Sequence, residues 1–328
     1  MRAVWYDRQG AAAEVLQQGE LPTPEAGPGQ VRVRLRASGV NPSDCNRRAG
    51  RGWGMEFPRV IPDSDGAGVV DQVGEGADPK LMDKRVWLYN GQRGRAFGTA
   101  AEYIALAADL VTELPESVDF AAGATLGIPC MTAHRAVFLA APVQGRTLLV
   151  TGGAGAVGHY AVQLAAWAGA RVIATVSSAE KAEHARAGGA HHVINYKTED
   201  VAGRVLQLTG GVGVDHVVEV EFGGNLATTL KVVRENGSIA TYASTAVRQP
   251  VLPIYELMFK NVSLHALILP RMPLEARHRA QSDITRWLSS RRRLLTVASR
   301  FPLAETARAH EAVERGDKRG TVVVEIAA

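Results

Sequence analysis

Only two cysteines, Cys45 and Cys130, occur among the 328 residues of the chain. So few cysteines exclude a disulfide-built scaffold and indicate a reducing, cytoplasmic compartment. Long hydrophobic runs are also missing, because no apolar stretch approaches the roughly 20 residues that a membrane-spanning helix requires. Residues 1–6 resemble a first strand, and no apolar leader core follows them. We therefore expect a cytoplasmic globular protein.

A strong charge of either sign is absent as well. The 37 Lys and Arg residues are nearly balanced by 33 Asp and Glu residues, which leaves a net charge of +4. The basic residues are scattered, and the run at 291–293 is typical of a solvated helix end. This charge is compatible with an anionic small ligand, but it does not predict nucleic-acid binding.

What is present is a change of pattern along the chain. Residues 1–124 contain short alternating segments, such as 31–35, among Gly and Pro turns, which predicts a β-rich domain. Residues 125–268 alternate between strands and helices, which predicts a doubly wound α/β domain that binds its ligand at the carboxyl ends of the strands. The predicted strands are 147–151, 171–176, 192–195, 215–220, 237–242 and 262–268, and the helices between them include 199–208 and 225–233.

The tail, residues 269–328, is predicted to leave the α/β domain. It carries two amphipathic helices, near 273–290 and 303–315, and a final strand at 321–326. Because the predicted parallel sheet has no place left for this strand, we expect it to return to the N-terminal domain. The predicted domains are therefore 1–124 together with 269–328, and 125–268.

A glycine-rich turn between a strand and a helix is the most informative motif. The apolar run at 147–150 leads into glycines spaced as G-x-G-x-x-G, and a segment of helical period follows at once. Small residues let the backbone approach a pyrophosphate, while the new helix offers free N–H groups and the positive end of its dipole. This context predicts a bound dinucleotide. The glycines with this spacing are Gly153, Gly155 and Gly158.

The next strand indicates which dinucleotide is bound. In an NAD-preferring domain, an Asp or Glu near the end of this strand bonds the ribose 2′-hydroxyl. Val176 or Ser177 holds that place here, and no carboxylate occurs before Glu180. Ser177 and Lys181 supply a hydroxyl and a cation for a 2′-phosphate, which favours NADPH over NADH. A structural alternative is a capping box from Ser177 to Glu180 with Lys181 solvated, and both interpretations can hold together.

Ordered motifs cover almost the whole length: 40–44 (Val-Asn-Pro-Ser-Asp), 61–70, 73–76, 83–87, 98–103, 127–133 and the glycine loop. This set resembles the medium-chain dehydrogenase/reductase superfamily, specifically its zinc-free quinone oxidoreductase branch, which is similar to zeta-crystallin. The resemblance implies an α/β fold of two domains. These are a doubly wound Rossmann domain that binds NADPH, at 125–268, and a β-rich GroES-like catalytic domain formed by 1–124 and 269–328.

The superfamily divides according to zinc. The resemblance places Asn41, Ser64 and Ile128 at the three ligand positions of the zinc enzymes, and none of these is a good zinc ligand. Two cysteines cannot form the four-cysteine structural zinc lobe of those enzymes. Asp63 and Asp65 remain as oxygen groups, but the family places the latter in domain packing. We therefore expect no metal.

Without a Lewis acid, an alcohol is not readily oxidised through an alkoxide. Quinones and activated alkenes accept hydride directly, so the site has only to align two π systems at ~3–3.5 Å and exclude water. The leading hypothesis is NADPH-dependent reduction of quinones. The alternatives are reduction of activated C=C bonds, in enones, 2-haloacrylates or acyl-CoA thioesters, and a non-catalytic NADPH sensor or RNA binder.

The resemblance also assigns individual residues along the cofactor. Asn41 and Thr132 would lie at the nicotinamide, and a basic residue of the pair 318–319 would close the 2′-phosphate site. Structural alternatives are an Asx turn at Asn41, a helix cap at Thr132, a half-buried strand end at Tyr196 and a solvated turn at 318–319. In the glycine loop, the resemblance assigns the backbone of Gly153, Ala156 and Val157 to the pyrophosphate. The assigned cofactor residues beyond that loop are Asn41, Thr132, Ser177, Lys181, Tyr196, Ser244, Leu267 and Arg319.

One position departs from the branch. Many members have Tyr in the run N-P-x-D-x-Y-x-R-x-G, and this chain has Asn46 there. A tyrosine could stack on a flat acceptor or donate a proton, whereas Asn46 can only hydrogen-bond. Segment 47–58, with Trp53, Met55 and Phe57, is therefore expected to supply the flat apolar wall, and water the proton. The predicted catalytic residues are Asn41, Asn46 and Thr132.

The resemblance finally implies a homo-oligomer, most simply a homodimer, in which nucleotide domains join by their edge strands. The strand at 262–268 is apolar enough to pair with its copy, because an unprotected strand edge invites the addition of another strand.

Overall fold

A computed structural model describes residues 1–52, 54–290, 293–316 and 318–327. The chain forms two compact units. The β-rich unit comprises Met1–Ile128 and Leu295–Ala328, and the α/β unit comprises Pro129–Leu294. Within the described ranges, no helix is both long enough and apolar enough to cross a membrane.

The elements follow each other in the order that the change of pattern predicts. The first stretch of the β-rich unit contains β1 (Arg2–Trp5), α1 (Ala12–Val15), β2 (Gln17–Glu20), β3 (Gln30–Val40), α2 (Pro42–Arg48), β4 (Asp65–Val73), β5 (Arg85–Leu88), β6 (Tyr103–Ala107), β7 (Val111–Glu113) and α3 (Phe120–Gly123). The α/β unit contains α4 (Met131–Phe138), β8 (Thr147–Val150), α5 (Ala156–Trp167), β9 (Arg171–Val176), α6 (Ala179–Ala187), β10 (His192–Asn195), α7 (Val201–Leu208), β11 (Val214–Glu219), α8 (Phe222–Val232), β12 (Val233–Thr241), α9 (Ile254–Phe259), β13 (Ser263–Ala266) and α10 (Leu274–Leu288). The chain then returns to the β-rich unit with β14 (Val297–Pro302), α11 (Thr306–Arg315) and β15 (Thr321–Glu325).

The β-rich unit is organised around β3, on which buried Val31, Val33 and Leu35 alternate with outward-facing arginines. The main sheet has the order β14-β15-β3-β4-β5-β7, and β6 also pairs with β3. The last strand, β15, pairs antiparallel with β3, with Val322 opposite Val40. The predicted return of the last strand to the N-terminal domain is therefore confirmed.

The α/β unit is built on a parallel sheet of six strands in the order β10-β9-β8-β11-β12-β13. All six predicted strands are present, and β9 and β10 have the predicted bounds. Starting at β8, the chain moves outward to β10 and then returns to β11 on the other side of β8. This reversal creates a topological switch point between β8 and β11, where doubly wound folds bind their ligands.

The boundary of the α/β unit differs from the predicted one, because residues 269–294 cluster with the α/β unit. Helix α10 packs against α4, and its apolar face is buried through Ile284, Trp287 and Leu288. His134 of α4 bonds Asp283 of α10 at 2.8 Å. An amphipathic pattern shows that one face of α10 must be covered, but it does not show by which partner.

Candidate active site

The glycine loop has the conformation that its spacing predicts. Gly152 lies at φ +63°, and the Gly153 N–H donates to Thr175 O at 2.9 Å. A Cβ on Gly158 would lie 2.2 Å from Gly152 O, and one on Gly153 would lie 2.7 Å from Ala174 Cβ. Two of the three motif glycines are therefore required by the close packing of loop, helix and neighbouring strand.

The first turn of α5 offers free donors beside this loop. Gly155 is exposed and forms the N-cap of α5, and the first helical bond joins His159 N–H to Gly155 O at 2.8 Å. The N–H groups of Ala156 and Val157 precede that bond and have no intrahelical acceptor. Both residues are only partly buried, so this turn can receive an anion.

At the carboxyl ends of β9 and β10, the structure brings Ser177, Lys181 and Tyr196 together. The Lys181 ammonium donates to Ser177 Oγ at 3.2 Å. The Tyr196 N–H donates to Val176 O at 3.0 Å, and the Tyr196 side chain is 52% exposed. A hydroxyl, a cation and an exposed phenol thus lie next to the strand end at which an NAD-preferring domain has a carboxylate.

The capping alternative for Ser177 is wrong. The N-cap of α6 is Ser178, whose Oγ accepts the Lys181 N–H at 3.3 Å. Because the cap is one residue later than predicted, the Ser177 hydroxyl is not used for capping and instead accepts a hydrogen bond from the Lys181 side chain. The capping alternative for Thr132 is wrong as well, because α4 begins at Met131 with Cys130 as N-cap, and Thr132 lies buried within the first turn.

A buried carboxylate that the sequence motifs did not indicate lies at the end of β11. Glu219 is fully buried and accepts four hydrogen bonds, a saturation that fixes its side chain. The bonds tie the end of β8, the loop after β11 and helix α8 into one network at the switch point. The donors are Thr151 Oγ1 (2.8 Å), the Glu221 N–H (2.7 Å), Asn225 Nδ2 (2.9 Å) and Thr229 Oγ1 (3.0 Å).

The predicted cofactor residue Ser244 belongs to the next loop of this network. Its Oγ accepts the Gly223 N–H at 2.9 Å. Glu221 holds the same loop by accepting the N–H groups of Thr245 (2.8 Å) and Ala246 (3.1 Å). The sequence offers one weak signal for these two carboxylates, because Glu219 ends β11 and Glu221 follows two residues later. Leu267 follows β13, where its N–H donates to Thr241 O at 2.9 Å.

In the β-rich unit, Asn41 is the N-cap of α2, and Pro42 is the first residue of that helix. The Asp44 carboxylate accepts the Asn41 N–H at 2.8 Å, and the Asn41 side-chain amide donates to Asp65 at 2.7 Å. Asp65 also accepts the Ile128 N–H at 2.8 Å. Two of the three positions that correspond to zinc ligands in the zinc enzymes, Asn41 and Ile128, thus bond the same carboxylate, and the third, Ser64, bonds Asp44.

Buried titratable groups surround Asn41. Burial raises the pKa of Asp44 to about 7, with a further contribution from the nearby Asp63 carboxylate, and burial raises the pKa of Asp65 well above its usual range. His310 Nε2 lies 3.0 Å from Asp63 Oδ1, and both side chains are completely buried. Burial alone would lower the pKa of His310, but the Asp63 carboxylate raises it to about 10, so these two groups form an ion pair at neutral pH.

The remaining predicted residues of this unit have separate surroundings. Asn46 lies on α2 and is partly buried. Met55 and Phe57 pack against the core cluster of Tyr6, Val15 and Val60, so both contribute to packing. Trp53 lies outside the described residues.

The two basic residues at 318–319 differ in their exposure to solvent. Lys318 Nζ donates to Gly320 O at 2.9 Å, and burial lowers the pKa of Lys318. Arg319 is exposed. It belongs to the β-rich unit, so its contact with a 2′-phosphate stays a prediction. Across the residues that the structure describes, no group of three or more His, Cys, Asp or Glu side chains could hold a metal ion.

A doubly wound parallel sheet with a glycine loop at its switch point defines a Rossmann-type nucleotide-binding unit, here joined to a β-rich unit. Comparison with known proteins agrees with this class. Residues 27–116 match the model of the alcohol dehydrogenase GroES-like domain, and residues 156–286 match the model described as zinc-binding dehydrogenase.

Several relatives match over nearly the full length. Human quinone oxidoreductase is 30% identical over 96% of this chain and 94% of its own, and a 2-haloacrylate reductase of a Burkholderia species is 32% identical over 99% and 98%. A mycobacterial protein solved in complex with NADPH is 29% identical, with a TM-score of 0.86 over 99% of both chains. The chain therefore belongs to the quinone oxidoreductase family of the medium-chain dehydrogenase/reductase superfamily. The predicted fold class and family are confirmed.

Proposed function

We propose that the protein is an NADPH-dependent reductase that transfers hydride to a quinone without a metal. The observation that carries the cofactor assignment is the contact between Lys181 and Ser177, next to the exposed Tyr196. A cation and two hydroxyls suit a dianionic 2′-phosphate, and this strand end has no carboxylate to repel it. The relative solved with NADPH and the relative named quinone oxidoreductase support this proposal.

The roles of the residues follow from their positions. NADPH, when bound, supplies the hydride. The N–H groups of the first turn of α5 hold the pyrophosphate. Glu219 fixes Thr151 and the loop after β11, so the loops at the switch point are positioned before the cofactor arrives. Thr132, Ser244 and Leu267 line the nicotinamide side in this proposal.

In the β-rich unit, Asn41 is held rigidly between Asp44 and Asp65. We assign it to the acceptor side of the nicotinamide, where a fixed amide can orient an acceptor oxygen. Asn46, which lies on the helix that Asn41 caps, is assigned a hydrogen bond to the acceptor.

A second candidate is the reduction of an activated C=C bond. Two observations favour it: the 2-haloacrylate reductase is 32% identical to this chain, and Asn46 replaces the tyrosine that could stack on a flat quinone. Both candidates use the same cofactor and the same hydride transfer, and they differ only in the acceptor.

The test is NADPH oxidation, followed by absorbance of the reduced nicotinamide, against 1,4-benzoquinone, 1,4-naphthoquinone, 9,10-phenanthrenequinone, 2-cyclohexenone, 2-chloroacrylate and acryloyl-CoA. We expect saturable turnover of the quinones with NADPH and little turnover with NADH. Turnover of the alkenes alone would replace quinones by the second candidate. Tight NADPH binding without any turnover would instead indicate a non-catalytic sensor or RNA binder.

The Lys181→Met variant tests the cofactor assignment in the same assay. Loss of one charge-assisted hydrogen bond costs ~1.5–3 kcal/mol, so we expect the KM for NADPH to rise by about tenfold or more. The KM for NADH should stay the same, because NADH has no 2′-phosphate. Arg186→Ala is the matched control, since Arg186 is an exposed cation in the last turn of the same helix. An equal rise for both cofactors would contradict the assignment.

We further propose a homodimer formed through the edge of the parallel sheet. Strand β13 is the last strand of the sheet, and helix α9 beside it exposes a contiguous set of large apolar side chains. Solvent-exposed patches of this kind mark protein–protein contacts. A second copy can extend the sheet at β13 and cover α9 at the same time. The exposed apolar residues in and around α9 are Val251, Leu252, Ile254, Tyr255, Met258 and Phe259.

Phe259→Glu tests this interface. Phe259 is 83% exposed, so the substitution should leave the fold intact while placing a charge in the contact. We expect light scattering after size-exclusion chromatography to give a dimer for the unaltered protein and a monomer for the variant at micromolar concentration. Met82→Glu is the control, because Met82 is an exposed apolar residue of the β-rich unit. A monomer without any substitution would overturn the proposal.

We also propose a cytoplasmic location. It is supported by Cys45 and Cys130, which are both buried free thiols, as expected in a reducing compartment.

A further inference from the structure

The proposed reaction needs a proton that none of the residues assigned so far supplies. Hydride transfer leaves negative charge on the acceptor, and Asn46 has no proton to release where many relatives have a tyrosine. A proton donor must be accessible to the acceptor and must also be reloaded after each turnover. In the cluster around Asn41, Ser64 is partly exposed, whereas Asp44, Asp63 and Asp65 are buried.

The Ser64 hydroxyl is directly connected to a buried acid. Ser64 Oγ lies 2.9 Å from Asp44 Oδ1. The other oxygen, Asp44 Oδ2, accepts the Asn41 N–H at 2.8 Å. In this structure Ser64 donates to Oδ1, but its hydroxyl can rotate and accept instead, whereas the backbone N–H on Oδ2 can only donate, so a proton on Asp44 resides on Oδ1, which faces Ser64. The dyad therefore has a defined direction, from the buried acid to the partly exposed hydroxyl.

The surroundings keep this acid protonated to an unusually high pH. Burial and the neighbouring Asp63 raise the pKa of Asp44 to about 7, and His310, which is paired with Asp63, only partly offsets this rise. Near neutral pH, Asp44 is thus protonated in a large fraction of molecules. The titratable and charged groups around it are Tyr6 after β1, Arg47 and Arg48 on α2, Asp63 before β4, Asp65 on β4 and His310 on α11.

We infer that Ser64 is the catalytic proton donor of the reduction and that Asp44 reloads it. Hydride addition oxidises the cofactor and moves an electron pair onto an oxygen of the acceptor. The O–H bond of Ser64 breaks as a new O–H bond forms on that oxygen. Asp44 passes its own proton to Ser64, and after product release the carboxylate regains a solvent proton through the partly exposed Ser64 hydroxyl. This inference rests on the proposed function.

The position of Ser64 supports this role independently of Asp44. The resemblance places Ser64 at one of the three positions that hold zinc in the zinc branch, and the other two, Asn41 and Ile128, converge on the adjacent Asp65. A hydroxyl at this position can donate a hydrogen bond to a developing oxyanion, which is the task that a Lewis acid performs in the zinc branch.

The test compares Ser64→Ala, Ser64→Thr and Asp44→Asn in turnover of whichever panel acceptor the unaltered protein reduces. General acids contribute about 10²–10⁴-fold, so we expect kcat of Ser64→Ala to fall at least tenfold while the KM for NADPH is unchanged. Ser64→Thr keeps a hydroxyl and should recover most of the rate. Ser43→Ala, which alters an exposed serine of α2, is the control and should behave like the unaltered protein.

The pH profile and the solvent isotope effect separate proton transfer from a structural effect. For the unaltered protein, kcat should decline as the pH rises through about 7, because deprotonated Asp44 cannot reload Ser64. In Asp44→Asn this decline should disappear, because asparagine does not titrate, whereas a solvent deuterium isotope effect on kcat should remain, because Ser64 still transfers the proton. Thermal melting verifies that each variant is folded, and Ser64→Ala decides the question if Asp44→Asn is not.

Two results would overturn the inference in distinguishable ways. If Ser64→Ala turns over at the unaltered rate with an unaltered pH profile, the relay is excluded while the reductase function remains. If the unaltered protein reduces no acceptor of the panel, the proposed function and the relay fail together.

Discussion

Gly158→Ala is expected to raise the Kd for NADPH by two orders of magnitude or more. The new Cβ would lie 2.2 Å from the carbonyl oxygen of Gly152 and 2.8 Å from its carbon, and both are backbone atoms. The loop that receives the pyrophosphate must therefore move, and its N–H groups lose their alignment. Overpacking of this kind also costs ~1–3 kcal/mol of stability. Fluorescence titration with NADPH and thermal melting measure the two effects.

Gly155→Ala is the matched comparison within the same loop. Its Cβ would have only one neighbour within 4 Å, Gly152 O at 3.3 Å, and Gly155 has an ordinary negative φ of −74°. We expect its melting temperature to stay near that of the unaltered protein and its NADPH affinity to fall much less than in Gly158→Ala. Equal affinity and melting temperature in Gly158→Ala and the unaltered protein would show that the loop does not bind the cofactor in this conformation.

His310→Gln is expected to cost about 3–5 kcal/mol of unfolding free energy. Nε2 of His310 lies 3.0 Å from Asp63, and neither side chain is exposed. Glutamine retains a hydrogen-bond donor but not the charge, so the Asp63 carboxylate would be left buried without a cation. Urea denaturation at pH 6.5 measures the loss. His278→Gln is the control, because His278 is exposed on α10.

The same ion pair predicts how stability depends on pH. The pKa of His310 is raised from 6.5 to about 10 in the folded protein. A raised pKa means that the folded state holds its proton more tightly, so the stabilisation is complete below about pH 6.5 and is lost as the pH rises through about 10. The raised pKa of Asp44 acts at lower pH, up to about 7, but Asp65 and Cys130 also have raised pKa values, so the difference between the unaltered protein and His310→Gln between pH 7.5 and 10 isolates the His310 contribution.

Stability of the unaltered protein should therefore fall more steeply between pH 7.5 and 10 than the stability of His310→Gln. If both proteins lose stability in parallel, another group is responsible for the pH dependence. Urea midpoints at several pH values are sufficient for this comparison if the slope of each transition stays the same, because a constant slope means that the extent of unfolding is unchanged.

Local sequence patterns, such as the period of apolar residues, predicted most of the fold. The period of apolar residues predicted the six strands of the parallel sheet, and β9 and β10 have the predicted bounds. The return of β15 to the N-terminal domain was predicted because the six-stranded parallel sheet had no place left for another strand. The glycine spacing predicted the loop, since Gly158 is required by packing within a few residues of chain and Gly153 by its contact with the next strand.

Other features were beyond such patterns. The capping prediction at Ser177 failed by a single residue, because several neighbouring hydroxyls can serve as a cap and only the actual start of α6 selects Ser178. The boundary at residue 268 was misplaced because α10 could have been covered by either unit. Glu219 was missed because a carboxylate at a strand end acquires its role only from Thr151, Asn225 and Thr229 around it.

The sequence by itself determined the order of elements, the glycine spacing and the placement of Ser177 and Lys181 four residues apart, since these depend on residues that lie close together in the chain. Tertiary structure alone decided that Asp63 pairs with His310, which is 247 residues away in the chain, and that Ser64 hydrogen-bonds to Asp44, which is 20 residues away. Periodicity and spacing contain no information about which distant side chains share a buried space. Burial in that shared space raises the pKa values of Asp44 and Asp65, and the buried pairing with Asp63 raises that of His310.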